Sequence, residues 1–135
     1  MGLDMFLIGR KTRKVDFKKP EEERFTKEDG YDVVERRLDL GYWRKHPNLH
    51  GFIVRNFADG VDNCEPIPLG TERLHELITA VKAGALPRTE GFFFGVSDGS
   101  DEERAYDIAT LQAALDWMKV DDPEDYRDVI YQASW

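Results

Sequence analysis

Three segments of this 135-residue chain carry apolar side chains at helical spacing on one side only, and a one-sided stripe must be covered by a second layer. They are Leu49, Phe52, Ile53 and Phe57 behind His46-Pro47; Leu74, Leu77, Ile78 and Val81 behind Thr71; and Ile108, Leu111, Leu115 and Met118 behind Ser100. The punctuation agrees with the stripes. Pro47 occupies a favoured first helical position, and Asp59-Gly60 ends that helix. Thr71 is read as the cap of the second helix, with Glu72 in its first turn and Gly84 past its end. Ser100-x-x-Glu103 is a capping box for the third, and Asp122-Pro123 stops it.

The covering layer is read from β-prone runs between the stripes. Met5, Phe6, Leu7 and Ile8 form a continuous apolar run that predicts a central strand over residues 4–9. Leu38, Leu40 and Tyr42 alternate, which predicts a strand within 31–42. Pro66 and Pro68 remove ladder donors from 64–69, so that segment is an edge strand or merely extended. The three Phe residues within 91–96 and the run 129–135 complete the strands. Residues 10–30, rich in charge and interrupted by Pro20, predict a long surface loop. The resulting expectation is one α+β (or α/β) domain over residues 1–135: a single mixed sheet of about five strands, some paired in parallel through right-handed crossovers, covered by three helices. Phe6, Leu7, Phe52, Leu77, Phe93, Leu111 and Ile130 are expected to share its core.

Charge is divided along the chain. The formal net charge is −8, yet residues 1–45 hold 12 basic against 10 acidic residues, a net of +2, and the remainder holds 7 against 17, a net of −10. Such a balance opposes direct contact with nucleic acid or an anionic membrane and suits docking onto a basic protein surface. No apolar stretch approaches the ~18 residues of a membrane span. Met1-Gly2-Leu3-Asp4 places an acid where a signal peptide carries its basic region, and the single Cys64 has no disulfide partner within the chain. Both predict a cytoplasmic protein.

Residues able to carry chemistry are few. His46 and His50 stand four apart, but Pro47 places His46 outside the helix and no Glu lies between them as in His-Glu-x-x-His sites, so no metal is expected. Cys64, with Asp62 and Asn63 just before it and His50 one helix earlier, permits a Cys-His nucleophile reading in which Arg44 also takes part; a packed, poorly reactive thiol is the competing role. The loop Gly95-Val96-Ser97-Asp98-Gly99-Ser100 has the outline of a phosphate cradle, but Asp98, Asp101, Glu102 and Glu103 would repel a phosphate and suit the helix dipole instead. No cofactor signature is present, and none is expected.

The words Met1-Gly2-Leu3-Asp4-Met5, Tyr42-Trp43-Arg44-Lys45 followed by His50, Gly60-Val61-Asp62-Asn63-Cys64, Gly91-Phe92-Phe93-Phe94-Gly95, and Tyr131, Gln132, Ser134 and Trp135 have a further meaning together. In them the chain resembles a family of small phage and prophage proteins that open Met-Gly-Leu-Asp-Met-Tyr-Leu. It departs from the family run in Phe6, in His46-Pro47 where Ala-Asn is usual, and in the charged insert at 10–30. The resemblance implies a phage context and no established activity. A phosphoglycerate kinase label borne by some members finds no Gly-x-x-x-x-Gly-Lys loop here. The expected function is therefore that of an accessory protein binding a host protein, of the anti-CRISPR type, through Trp43, Arg44 and Lys45 and the acids Asp121, Asp122, Glu124 and Asp125. The alternative is a small hydrolase or ligand-binding enzyme using Cys64, His50, Asp62 and Arg44.

Overall fold

A computed structural model describes residues 2–91 and 95–135. In chain order the elements are β1 (Asp4–Arg13), β2 (Thr26–Glu28), β3 (Tyr31–Val33), β4 (Glu35–Arg44), α1 (Pro47–Phe57), β5 (Ile67–Pro68), α2 (Thr71–Lys82), α3 (Asp101–Met118) and β6 (Asp125–Ser134). The fold is α+β. Its main sheet has four strands in the order β4-β1-β6-β5, and β2 and β3 form a separate two-stranded sheet. The expected single mixed sheet of five strands is thereby corrected, and every described pairing is antiparallel. The predicted strand at 91–96 centres on residues outside the described ones.

β1 is central, as its apolar run predicts, with Met5 opposite both Trp43 and Ala133. It also runs on to Arg13, into the stretch read as loop. There Arg10 bonds to Asp128 on β6, and Lys11 and Arg13 reach the acids around β6's start, so charge pairs extend the ladder where apolar side chains stop. Asp29 and Gly30, at φ 52° and 83°, close the β2–β3 hairpin; Asp-Gly is the pair that a tight hairpin turn favours.

Alternation along the strands separates two faces. Met5, Leu7, Trp43, Val129, Tyr131 and Ala133 point toward the helices and join Leu49, Ile53, Leu74, Leu77, Leu111 and Leu115 in one buried cluster. Phe52 packs at its margin. Ile130 is buried as expected, though outside that cluster, whereas Phe6, on the opposite face, is exposed and does not belong to the core, and Phe93 lies outside the described residues. All three predicted helices form. Thr71, however, is the first residue of α2 rather than its cap, since Gly70 takes the cap position with no side chain to offer.

Two glycines let layers approach closely. A Cβ on Gly41 of β4 would overlap the Thr110 methyl of α3, and one on Gly51 of α1 would overlap the Thr89 side chain. The first contact seats α3 low on the sheet beside Trp43, and the second holds the 86–90 segment over α1. Thr89 N–H then donates to Asn48 Oδ1 at 3.0 Å.

Candidate functional site

Helix α1 begins without a cap of its own. His46 precedes it at φ −113° and makes no side-chain cap bond. Ser97, from the loop before α3, supplies that bond instead: its Oγ accepts from Asn48 N–H at 3.0 Å. Freed from capping, the His46 ring turns inward and is 3% exposed. Its Nδ1 lies 2.8 Å from Ser97 Oγ and its Nε2 lies 2.7 Å from Asp107 Oδ2. Asp107, 1% exposed on α3, accepts with its other oxygen from Trp43 Nε1–H at 2.8 Å. A carboxylate so buried is tolerable only when its oxygens are bonded, and both are.

Glu103, one turn before Asp107, holds the Ser97 loop in place. Its carboxylate accepts from Asp98 N–H at 2.7 Å and from Gly99 N–H at 3.0 Å, while Ser100 Oγ accepts from Glu103 N–H at 3.1 Å. The predicted capping box is present, with its return bonds reaching the two residues before Ser100. Glu103 Oε1 is also 3.6 Å from His46 Nε2, so one imidazole nitrogen and two carboxylates gather within 4.8 Å at a cavity of about 120 Å³. These three residues are the donor set able to take a divalent cation.

His46 and His50 do not converge. His50 serves a second network, its Nδ1 2.6 Å from Tyr131 Oη and its Nε2 2.9 Å from Asp62 Oδ2, with Trp135 Nε1–H donating to the other Asp62 oxygen at 3.2 Å. Burial first, and then the nearby Asp62 carboxylate, pushes the Tyr131 hydroxyl well above its ordinary pKa of 10.0. The residues of the enzyme alternative, His50, Asp62 and Cys64, therefore do line one cavity, but its volume is about 10 Å³. That is room for roughly one water and no substrate. Arg44 stands elsewhere, paired with Asp4 at 3.2 Å. Cys64, in the left-handed region at φ 60° and partly exposed, precedes β5 instead of lying in it.

The expected partner-binding set divides as well. Trp43 is buried and bonded to Asp107, whereas Arg44 and Lys45 are exposed. Asp122 accepts from Arg127 Nε at 2.9 Å and from Glu124 and Asp125 N–H, with Lys11 Nζ 3.7 Å away. The Arg127 bond leads those N–H bonds and the Lys11 charge in holding Asp122 at about 2, against an ordinary 3.8 and against the opposing pull of desolvation. Asp125 pairs with Lys11 and Arg13, and Glu124 with Arg13 at 3.4 Å. The basic strand and the acidic stretch thus neutralise one another within the fold. Asp121 stays exposed, and among the described residues it has no ion pair.

Among the described residues, Glu102 and Asp116 of α3 form no ion pair, although Asp116 Oδ1 accepts from Gln112 Nε2–H at 2.9 Å. Glu102, Ala105, Ala109, Ala113 and Asp116 recur every three or four residues and are all exposed. They form a flat outward face with an acid at each end.

Ser97 and Asp107 are not expected from the sequence as partners of His46. Asp107 stands amid helix-surface polar residues and gives no signal of its own. Ser97 does give one: Gly95-Val96-Ser97-Asp98-Gly99 has the Gly-x-Ser-x-Gly spacing, and both glycines are left-handed, at φ 73° and 70°. No family model, curated protein or solved structure matches the chain.

Proposed function

We propose that this chain is a phage-type accessory protein that acts by occupying a basic, nucleic-acid-binding surface of a host effector, in the manner of an anti-CRISPR inhibitor. The observation that carries the reading is the outward face of α3, where Glu102 and Asp116 bracket three alanines. Small side chains leave the helix surface open to close approach, and the two acids, which form no ion pair among the described residues, favour a cationic partner. The net charge of −8 supports the same sign of partner, as does the resemblance to small phage proteins. The Cys64 enzyme alternative loses its support to the volume of its cavity.

The reading is tested by DNA-cleavage assays over a panel of purified CRISPR effector nucleases, with the intact protein and with Ala109→Arg. Ala109 is exposed, so the variant keeps the fold, which a thermal melt verifies. Inhibition of at least one effector, relieved by Ala109→Arg, is expected. No inhibition across the panel, or inhibition that Ala109→Arg leaves intact, contradicts the proposal.

A further inference from the structure

We propose that Ser97, His46 and Asp107 form a nucleophilic triad that hydrolyses small carboxylic esters, an activity separate from partner binding at the α3 face. The connectivity is that of an activated serine. Ser97 Oγ lies 2.8 Å from His46 Nδ1, and His46 Nε2 lies 2.7 Å from Asp107 Oδ2. With the Asp107 carboxylate accepting from Nε2–H, Nδ1 is left as a bare acceptor for the Ser97 hydroxyl proton. Trp43 Nε1–H fixes the far oxygen of Asp107, and Glu103 fixes the loop that presents the serine. Triads are recognised by geometry and role, not by the order of their members along a chain.

Capping alone does not account for this arrangement. A serine that only capped α1 would need the Asn48 N–H and nothing more, yet a buried imidazole and a buried carboxylate are aligned behind it. Three further observations converge. Ser97 sits at the centre of a Gly-x-Ser-x-Gly turn with both glycines left-handed. Its Oγ lies at the N-terminal end of α1, where the helix dipole favours developing negative charge. Ser97 also lines an open cavity of about 300 Å³, walled by Asn48, Leu86, Thr89 and Val96 and by the exposed, mutually paired Arg88 and Glu90, with room for a small ester.

In the reaction Ser97 Oγ adds to the ester carbonyl carbon as its proton passes to His46 Nδ1. The tetrahedral adduct collapses with cleavage of the ester C–O bond, and the alcohol leaves with the proton from His46. Water then attacks the acyl-serine, gives a proton to His46 and releases the acid, after which His46 returns that proton to Ser97 Oγ. The sum is ester plus water to acid plus alcohol, with no redox change.

The test uses the intact protein with a fluorophosphonate probe and with p-nitrophenyl acetate. Covalent labelling is expected, with the adduct mapped to Ser97 by peptide mass spectrometry, and turnover should fall by about 100-fold or more in Ser97→Ala and His46→Gln. Thermal melts establish that the variants remain folded, and the adduct map reads wild-type protein alone, so a variant that fails to fold leaves the test standing. Asp107 is a positioning residue, and Asp107→Asn is expected to lower kcat while leaving KM unchanged. Absence of labelling, an adduct on another residue, or turnover equal in Ser97→Ala and wild type overturns the proposal. Labelling and turnover are read with no effector present, and effector inhibition with no ester present, so failure of this inference is distinguishable from failure of the binding reading.

Discussion

Removing one donor from a buried carboxylate leaves its oxygen without a partner, which costs more than the bond itself contributes. Trp43→Phe does this to Asp107 while preserving most of the ring that packs in the core. It is expected to destabilise the fold by about 1–3 kcal/mol in denaturant melts. Asp122 gives a pH-dependent counterpart. Its pKa of about 2 in the fold lies below the ordinary 3.8, so the unfolded chain takes up the proton first as pH falls. The stability it contributes is complete above about pH 4 and is lost as pH falls toward 2. The stability gap between wild type and Asp122→Asn, followed by urea melts, is therefore expected to narrow over that window; a gap constant with pH would show that the Arg127 and Lys11 contacts do not hold in solution. At this scale the sequence told little. His46 meets Ser97 and Asp107 across 51 and 61 residues of sequence, and nothing local in the sequence records a contact at such range.

Helices were legible because each stripe had its own start and stop. Leu111 of α3 is 1% exposed within the buried cluster, and Leu111→Ala is expected to cost about 2–5 kcal/mol as a cavity-forming truncation. A loss below about 1 kcal/mol in the same melts would mean that α3 does not seat on the sheet as described. Strands were legible only where they are apolar. β1 beyond Gly9 is held by Arg10, Lys11 and Arg13 against acids of β6 and its approach, and charge pairs between strands leave no apolar period to read. The β2–β3 hairpin did carry a local signal in Asp29-Gly30, hidden by the charged residues around it. The expectation of Phe6 in the core fails because hydrophobicity alone does not state a face, and only the register of β1 with β4 and β6 does.

At the scale of the whole molecule the fold redistributes charge. Within the basic segment that the sequence places beside an acidic body, Arg10, Lys11 and Arg13 pair with Asp122, Glu124, Asp125 and Asp128, so the β1 part of that segment is not a free cationic arm. Direct DNA or RNA binding at physiological salt is accordingly expected to be no tighter than about micromolar, the level of ordinary non-specific attraction, in a fluorescence-anisotropy titration. No helix among the described residues is long and apolar enough to cross a membrane. Glu102 and Asp116 on α3 form no ion pair among the described residues, and exposed charges of this kind steer encounter more than they retain a complex. The most direct test is the association rate of the protein with an effector it inhibits, measured at low and at physiological salt for wild type and for the Glu102→Lys, Asp116→Lys double variant. The account predicts that charge reversal slows association by about tenfold or more at low salt and that added salt shrinks the difference, with dissociation little changed. An association rate indifferent both to salt and to reversal of the two α3 acids would contradict it.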